Sequence, residues 1–431
     1  MPLPKLTPIR SLTGTVGLLL QLALVGVAVG LACWPLNLLD HWQDLLLHTL
    51  PAFSEQGWSP QTVATACAPV VVVPLLLFLQ AKAWRGGSGS GIPQTMASIK
   101  DPAQADQLMA ARPTIQRLVI WSVATLALLP MGREGPVVQV GAAVAHRLRQ
   151  LWPSLVNRLS SSELMTVAAG AGLAGGFNTP LLGVIFVAEE LTGNFGANLV
   201  WPGLVIGALA AEVSSLGGQA QFGLGMIRDY VFELSQLGWG LVLGVTAGLL
   251  GGLFARLLLE ATAWITPRAR RHPWSVGLVL GLAIAGMALL TGGSSGGDGE
   301  ALMSMIIADP QGQHVNLLTL LGRMIGPCLA LGASIPGGLI DPAFAIGAVV
   351  GKLVGNTAGM GTIGLAMGMA GALAGATQLP VLSVGFALRL AGDQQLLPGV
   401  LLAAVIGAYA SKVWMRKPVY HALADLMRER S

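Results

Sequence analysis

Long uncharged runs constrain this chain more than any other feature. Leu237 to Ala255 and Leu353 to Leu388 contain no Asp, Glu, Lys or Arg, in a sequence of 431 residues with only 10% charged side chains. One bilayer crossing takes about 20 apolar residues, so the second run holds more than one helix. With 53% hydrophobic residues and a mean hydropathy of +0.69, the pattern predicts an all-α polytopic membrane protein and excludes a soluble domain. The 58 glycines and 25 prolines favour closely packed, broken and tilted helices over simple spans. Val16 to Trp34 is read as a retained first span, because many spans follow and no small-residue cleavage site stands out.

The net charge of +4 is unevenly spread. Lys5 and Arg10 precede the first span, and Lys82 and Arg85 follow the second. The connection from Pro35 to Val63 carries Asp40, Asp44 and Glu55 and no Lys or Arg. Arg268, Arg270 and Arg271 share one short connection, whereas Thr291 to Asn316 has Asp298, Glu300 and Asp309 and again no Lys or Arg. The positive-inside rule therefore predicts both termini and the three-arginine connection in the cytoplasm. Arginines that flank spans at such short range argue against nucleic-acid binding. Cys33, Cys67 and Cys328 lie far apart in apolar segments, and the six histidines have no paired-ligand spacing. Neither a disulfide framework nor a metal site is expected, and no motif implies a cofactor.

The chain also repeats itself weakly. Gly132, Pro136, Gly141, Ala142 and Val144 recur at an offset of 206 as Gly338, Pro342, Gly347, Ala348 and Val350. Ala174, Gly175, Pro180, Leu182, Val184 and Phe186 recur at an offset of 200 as Ala374, Gly375, Pro380, Leu382, Val384 and Phe386. This predicts one transmembrane domain, 1–431, of two inverted-topology halves, 12–217 and 235–431, with a site where broken helices meet. The charges are not repeated: Glu134 aligns with Ile340, and Glu189 and Glu190 with Arg389 and Leu390.

Three segments place glycines before a proline: Gly89 to Pro93, Gly132 to Pro136, and Gly337 to Pro342. Each suits a helix start with free N–H groups, and several such ends aimed at one place form an anion site without a full positive charge. The second carries Arg133-Glu134, a charged pair that is costly in apolar surroundings unless it is used or neutralised. An acid at a helix start of this kind would compete with an anion for one position. Each segment alone also fits an ordinary turn.

Together these segments resemble the signature motifs of the CLC chloride channel and transporter family. The resemblance extends to Phe177-Asn178-Thr179-Pro180 followed by Glu189-Glu190, and to Lys417-Pro418-Val419-Tyr420 near the end. It implies a homodimer of inverted-repeat helical subunits in a lipid bilayer, each with its own path for chloride. Carried over by position, Ser90 and Tyr420 would offer hydroxyls to the anion, with backbone amides near Glu134, Leu339 and Ile340. Glu134 would be the gating glutamate and Glu190 the internal proton acceptor. Read from the residues alone, Ser90 also fits a helix cap, Tyr420 an interface anchor, and Glu189-Glu190 a helix end in cytoplasmic water.

Three positions depart from the family pattern: Ile340 stands where phenylalanine is usual, Asp341 where a small apolar residue is, and Arg389 where glutamate is common. Asp341 is expected to cap the helix beginning at Pro342. The reading is a chloride/proton antiporter of a bacterial inner membrane, not an enzyme. A passive chloride channel and a fluoride/proton exchanger of the same fold are its rivals, and an intramembrane hydrolase lacks any nucleophile–base spacing. The chain ends eleven residues after Tyr420, so the nucleotide-binding regulatory pair of some members is expected to be absent.

Overall fold

The computed structural model describes residues 12–216, 234–309, 312, 315–358, 360, 362–389 and 396–429. Lys5, Arg10 and Leu390 lie outside them. Eighteen α-helices, and no strand among the described residues, carry this part of the chain. The first nine are α1 (Leu12–Leu47), α2 (Pro60–Lys82), α3 (Ile92–Lys100), α4 (Pro102–Leu108), α5 (Ala111–Leu126), α6 (Glu134–Leu151), α7 (Ser161–Phe177), α8 (Pro180–Phe186) and α9 (Ala197–Ser214). The rest are α10 (Ser235–Arg271), α11 (Pro273–Leu290), α12 (Glu300–Ala308), α13 (Leu317–Gly332), α14 (Ile340–Ala358), α15 (Thr362–Thr377), α16 (Pro380–Leu388), α17 (Leu397–Ala410) and α18 (Val419–Arg428). Helices α1, α2, α9, α10 and α11 are long and apolar enough to cross a bilayer.

Local chemistry explains where several helices start and stop. Ser160 Oγ accepts the Glu163 N–H at 3.1 Å, and the Glu163 carboxylate accepts the Ser160 N–H at 2.7 Å, so α7 opens on a reciprocal cap. It ends at Asn178, whose φ of 48° is left-handed, and Pro180 then starts α8. The same punctuation recurs 200 residues later, with Gln378 at φ 60° and Pro380 opening α16.

Packing recurs along with punctuation. Helix α6 lies along α7 as α14 lies along α15, α7 packs on α9 as α15 does on α17, and α1 meets α9 as α10 meets α17. Gly141 meets the Ala168 carbonyl so closely that a Cβ there would collide with it, and Gly347, its aligned partner, meets the Gly368 carbonyl the same way. Small residues that let backbones touch are the usual means of helix association where no water drives burial. The two halves meet where α2 packs on α11 and α8 on α16.

Two connections differ from expectation. Helix α1 runs through Pro35 to Leu47, so Asp40 and Asp44 sit on a helix instead of in a loop. A proline costs an interior helix one backbone bond and favours a kink, yet it is tolerated in membrane helices where neighbouring groups re-satisfy the backbone. Thr291 to Asn316 is likewise no simple loop, because it contains α12 and buries Asp298. Arg268, Arg270 and Arg271 occupy the last turn of α10, where cations suit the helix dipole.

Candidate functional site

The site is built where two helices begin side by side. Gly132 donates its N–H to the Gly338 carbonyl at 2.9 Å and accepts the Gly338 N–H at 2.8 Å. These residues are partners in the 206-residue repeat, and their bridge brings the N-termini of α6 and α14 together. Helix starts carry unpaired N–H groups and a partial positive charge. Into this corner folds the carboxylate of Glu134, fully buried, with Oε1 accepting the Asp341 N–H at 2.6 Å. A Cβ on Gly338 would occupy the space of that carboxylate, so only glycine leaves room for it. Oε2 has no hydrogen-bond partner. The side chain thus takes the position an anion takes at a helix N-terminus. The amide it meets is that of Asp341, one residue beyond the expected Leu339 and Ile340, which are both buried beside it.

Asp341 does not cap its helix. Helix α14 already begins at Ile340, which places Asp341 within the first turn, and neither carboxylate oxygen accepts a hydrogen bond. A cap residue must stand outside the helix with extended backbone, and Asp341 does not.

Ser90 and Tyr420 present hydroxyls with no protein partner. The N-cap of α3 is Gly91, whose N–H is taken by Gln94 Oε1 at 2.9 Å, so the Ser90 hydroxyl has no capping duty. Tyr420 is fully buried in the first turn of α18, and α18 packs on α3. Its phenol lies within electrostatic reach of Glu134, Glu190 and Asp341. A buried hydroxyl without a partner costs about 1–3 kcal/mol, which an anion accepting from it would recover. A cavity of about 390 Å³ is lined by Ser90, Gly337 and Leu339 together with Arg85, Arg117 and Arg270.

The adjacent acids both lie within a π-helical turn, Val187–Leu191, a local feature often found at functional positions. Glu189 accepts the N–H groups of Val381 at 3.0 Å and Leu382 at 2.7 Å, in the first turn of α16. It is a cap supplied from the other half of the chain. Glu190 is buried with Oε1 unpartnered by any hydrogen bond, and His421 Nε2 stands 3.7 Å from it. His421 follows Tyr420, so α18 brings both to the interior acid. No spacing in the sequence marks His421.

Sequence reasoning also missed what Arg133 does. Its guanidinium, 1% exposed, bonds the Asp40 carboxylate of α1 and Glu300 of α12 at 3.1 Å, and lies 5.0 Å over the Phe177 ring. Carboxylate oxygens of Asp40, Asp298 and Glu300 lie within 4.8 Å of one another, a spacing that suits a cation, but Arg133 already binds two of the three residues. Phe177 meets Phe386 edge-on at 5.1 Å, and its carbonyl at the end of α7 accepts from Arg389. The unusual Arg389 is therefore a cation at a helix C-terminus.

Three comparisons bear on this geometry. The chain belongs to the family described as voltage gated chloride channel, whose profile matches residues 68–412. It is 28% identical over 307 residues to the H(+)/Cl(-) exchange transporter ClcA of Vibrio cholerae serotype O1, strain M66-2, a match that takes in 68% of this chain and 65% of that protein's length. Two solved structures share the fold. A slow cyanobacterial Cl-/H+ antiporter is 21% identical with a TM-score of 0.76, over 95% of this chain and 97% of that one. A CLC-type fluoride/proton antiporter is 23% identical with a TM-score of 0.77, over 95% and 99%. The chain is an integral membrane protein of this fold.

Proposed function

We propose that this member of the chloride channel family exchanges chloride for protons across the membrane, with Glu134 as the gate. The observation that carries the reading is the Glu134 carboxylate held by the Asp341 N–H at the start of α14, in the space left by Gly338. A charged carboxylate there occupies the anion's position. Protonation removes the charge that the helix start favours, so the side chain leaves and an anion takes over its N–H partner. The N–H dipoles, with the Ser90 and Tyr420 hydroxyls, hold the anion without a full positive charge, loosely enough for release. Glu190 receives the proton on its way to the cytoplasm, beside His421.

The likeness to the chloride and the fluoride antiporter is equally close in fold, so the choice of chloride rests on Ser90 and Tyr420 and on the exchange transporter of Vibrio. With it come a homodimer with one path per subunit, a bacterial inner membrane and cytoplasmic termini. The recurring helix pairs support halves at 12–217 and 235–431.

The test is proton flux driven by a chloride gradient in liposomes. The wild-type chain is expected to move protons uphill, and Glu134→Gln to pass chloride without them. Wild-type rates of uphill pumping by Glu134→Gln would end this assignment.

A further inference from the structure

Beside the gating carboxylate lies a second carboxylate that neither the helix cap nor the anion cage employs. Asp341 is 1% exposed, and both of its oxygens lack a hydrogen-bond partner. Its Oδ2 and the Oε1 of Glu134 each lie 2.7 Å from the point that a Cβ on Gly132 would take, so the two groups flank one small space. The charged and titratable groups acting on Asp341 are Glu134 from α6, Arg133 at the entry of α6, Asp298 from the turn before α12, Asp40 from α1, and the Tyr420 phenol from α18. Arg133 is the only cation among these, and its guanidinium is already bonded to Asp40 and Glu300.

We propose that Asp341 is a second proton-binding group of the anion path, sharing one proton with Glu134 while that side chain lies across the site. Two carboxylates this close, out of water and without a spare cation, do not both remain charged, and the proton belongs to the pair. The inference builds on the exchange reading above and adds a consequence to it. Once Glu134 has left, an ionised Asp341 repels the incoming anion at the start of α14. Stable anion occupancy therefore requires Asp341 to be neutral, and chloride binding draws in a proton at Asp341 in addition to the one carried by Glu134.

Chloride affinity of the purified full-length chain, measured by calorimetry from mildly acidic to mildly alkaline pH, tests this. Glu134→Gln lacks the gating carboxyl and is expected to bind chloride more tightly as pH falls, by up to about tenfold per pH unit, the limit for one linked proton. Adding Asp341→Asn is expected to flatten the profile, and adding Glu190→Gln to leave its slope in place. A flat profile in Glu134→Gln overturns the proposal, as does a slope that survives Asp341→Asn or vanishes with Glu190→Gln. The first and third variants leave Asp341 itself intact, so the test stands even if Asp341→Asn fails to fold. Because calorimetry reads binding, a proton-pumping Glu134→Gln would sink the exchange reading without deciding this one.

Discussion

Two neighbouring glutamates with one chemical identity meet different surroundings in the packed chain. Glu189 reaches the N–H groups of Val381 and Leu382, whereas Glu190 turns into the protein toward His421. Both sit in one π-helical turn, where consecutive residues cannot share a face. Glu190→Gln is therefore expected to abolish proton coupling and keep chloride flux. Glu189→Ala is expected to lower stability by about 0.5–2 kcal/mol, the usual loss for a helix cap, and to keep coupling. Liposome proton uptake alongside thermal unfolding in detergent separates the two, and loss of coupling from Glu189→Ala alone would reverse the assignment.

Among the elements, the tie made by Arg133 joins three helices at the mouth of the site. Its guanidinium holds α1 through Asp40 and α12 through Glu300 while standing at the entry of α6. The pairing is buried, so its removal exposes uncompensated charge instead of merely deleting an attraction. Arg133→Ala is expected to destabilise the chain by about 3–5 kcal/mol. Replacing the acids as well, with Asp40→Asn and Glu300→Gln, is expected to restore much of that loss, because neutral amides do not need the missing cation. Denaturant or thermal unfolding of the wild type, Arg133→Ala and the triple variant checks this, and a triple variant no more stable than Arg133→Ala would show that the charge argument is wrong.

For the whole molecule, the uneven distribution of charge predicts an orientation in the bilayer. The arginines ending α10 and the connection before α2, which has no Lys or Arg, should face opposite sides. After replacement of Cys33, Cys67 and Cys328, a cysteine introduced at the exposed Arg270 is expected to react with an impermeant thiol reagent only from the cytoplasmic side. One at the exposed Gly57 is expected to react only from outside. The reverse pattern would invert the proposed topology.

The helical class, the capacity to span a membrane, the repeat offsets and the helix starts around Glu134 were all legible in the sequence. Each is written locally, in apolar run length, in glycine and proline punctuation, or in a recurring interval. Which groups meet was not legible. Asp341 presents its N–H to a carboxylate 207 positions away, Glu189 caps a helix 192 positions on, and Arg133 finds Asp40 at a separation of 93. The helix through Pro35 and the idle carboxylate of Asp341 belong to the same class, since each depends on what neighbouring helices place against it. A residue's type states what it requires, namely a donor, a counter-charge or a small neighbour. Only the packed chain, by bringing distant segments together in a low-dielectric interior, decides which requirements are met and which are left for an ion or a proton to meet.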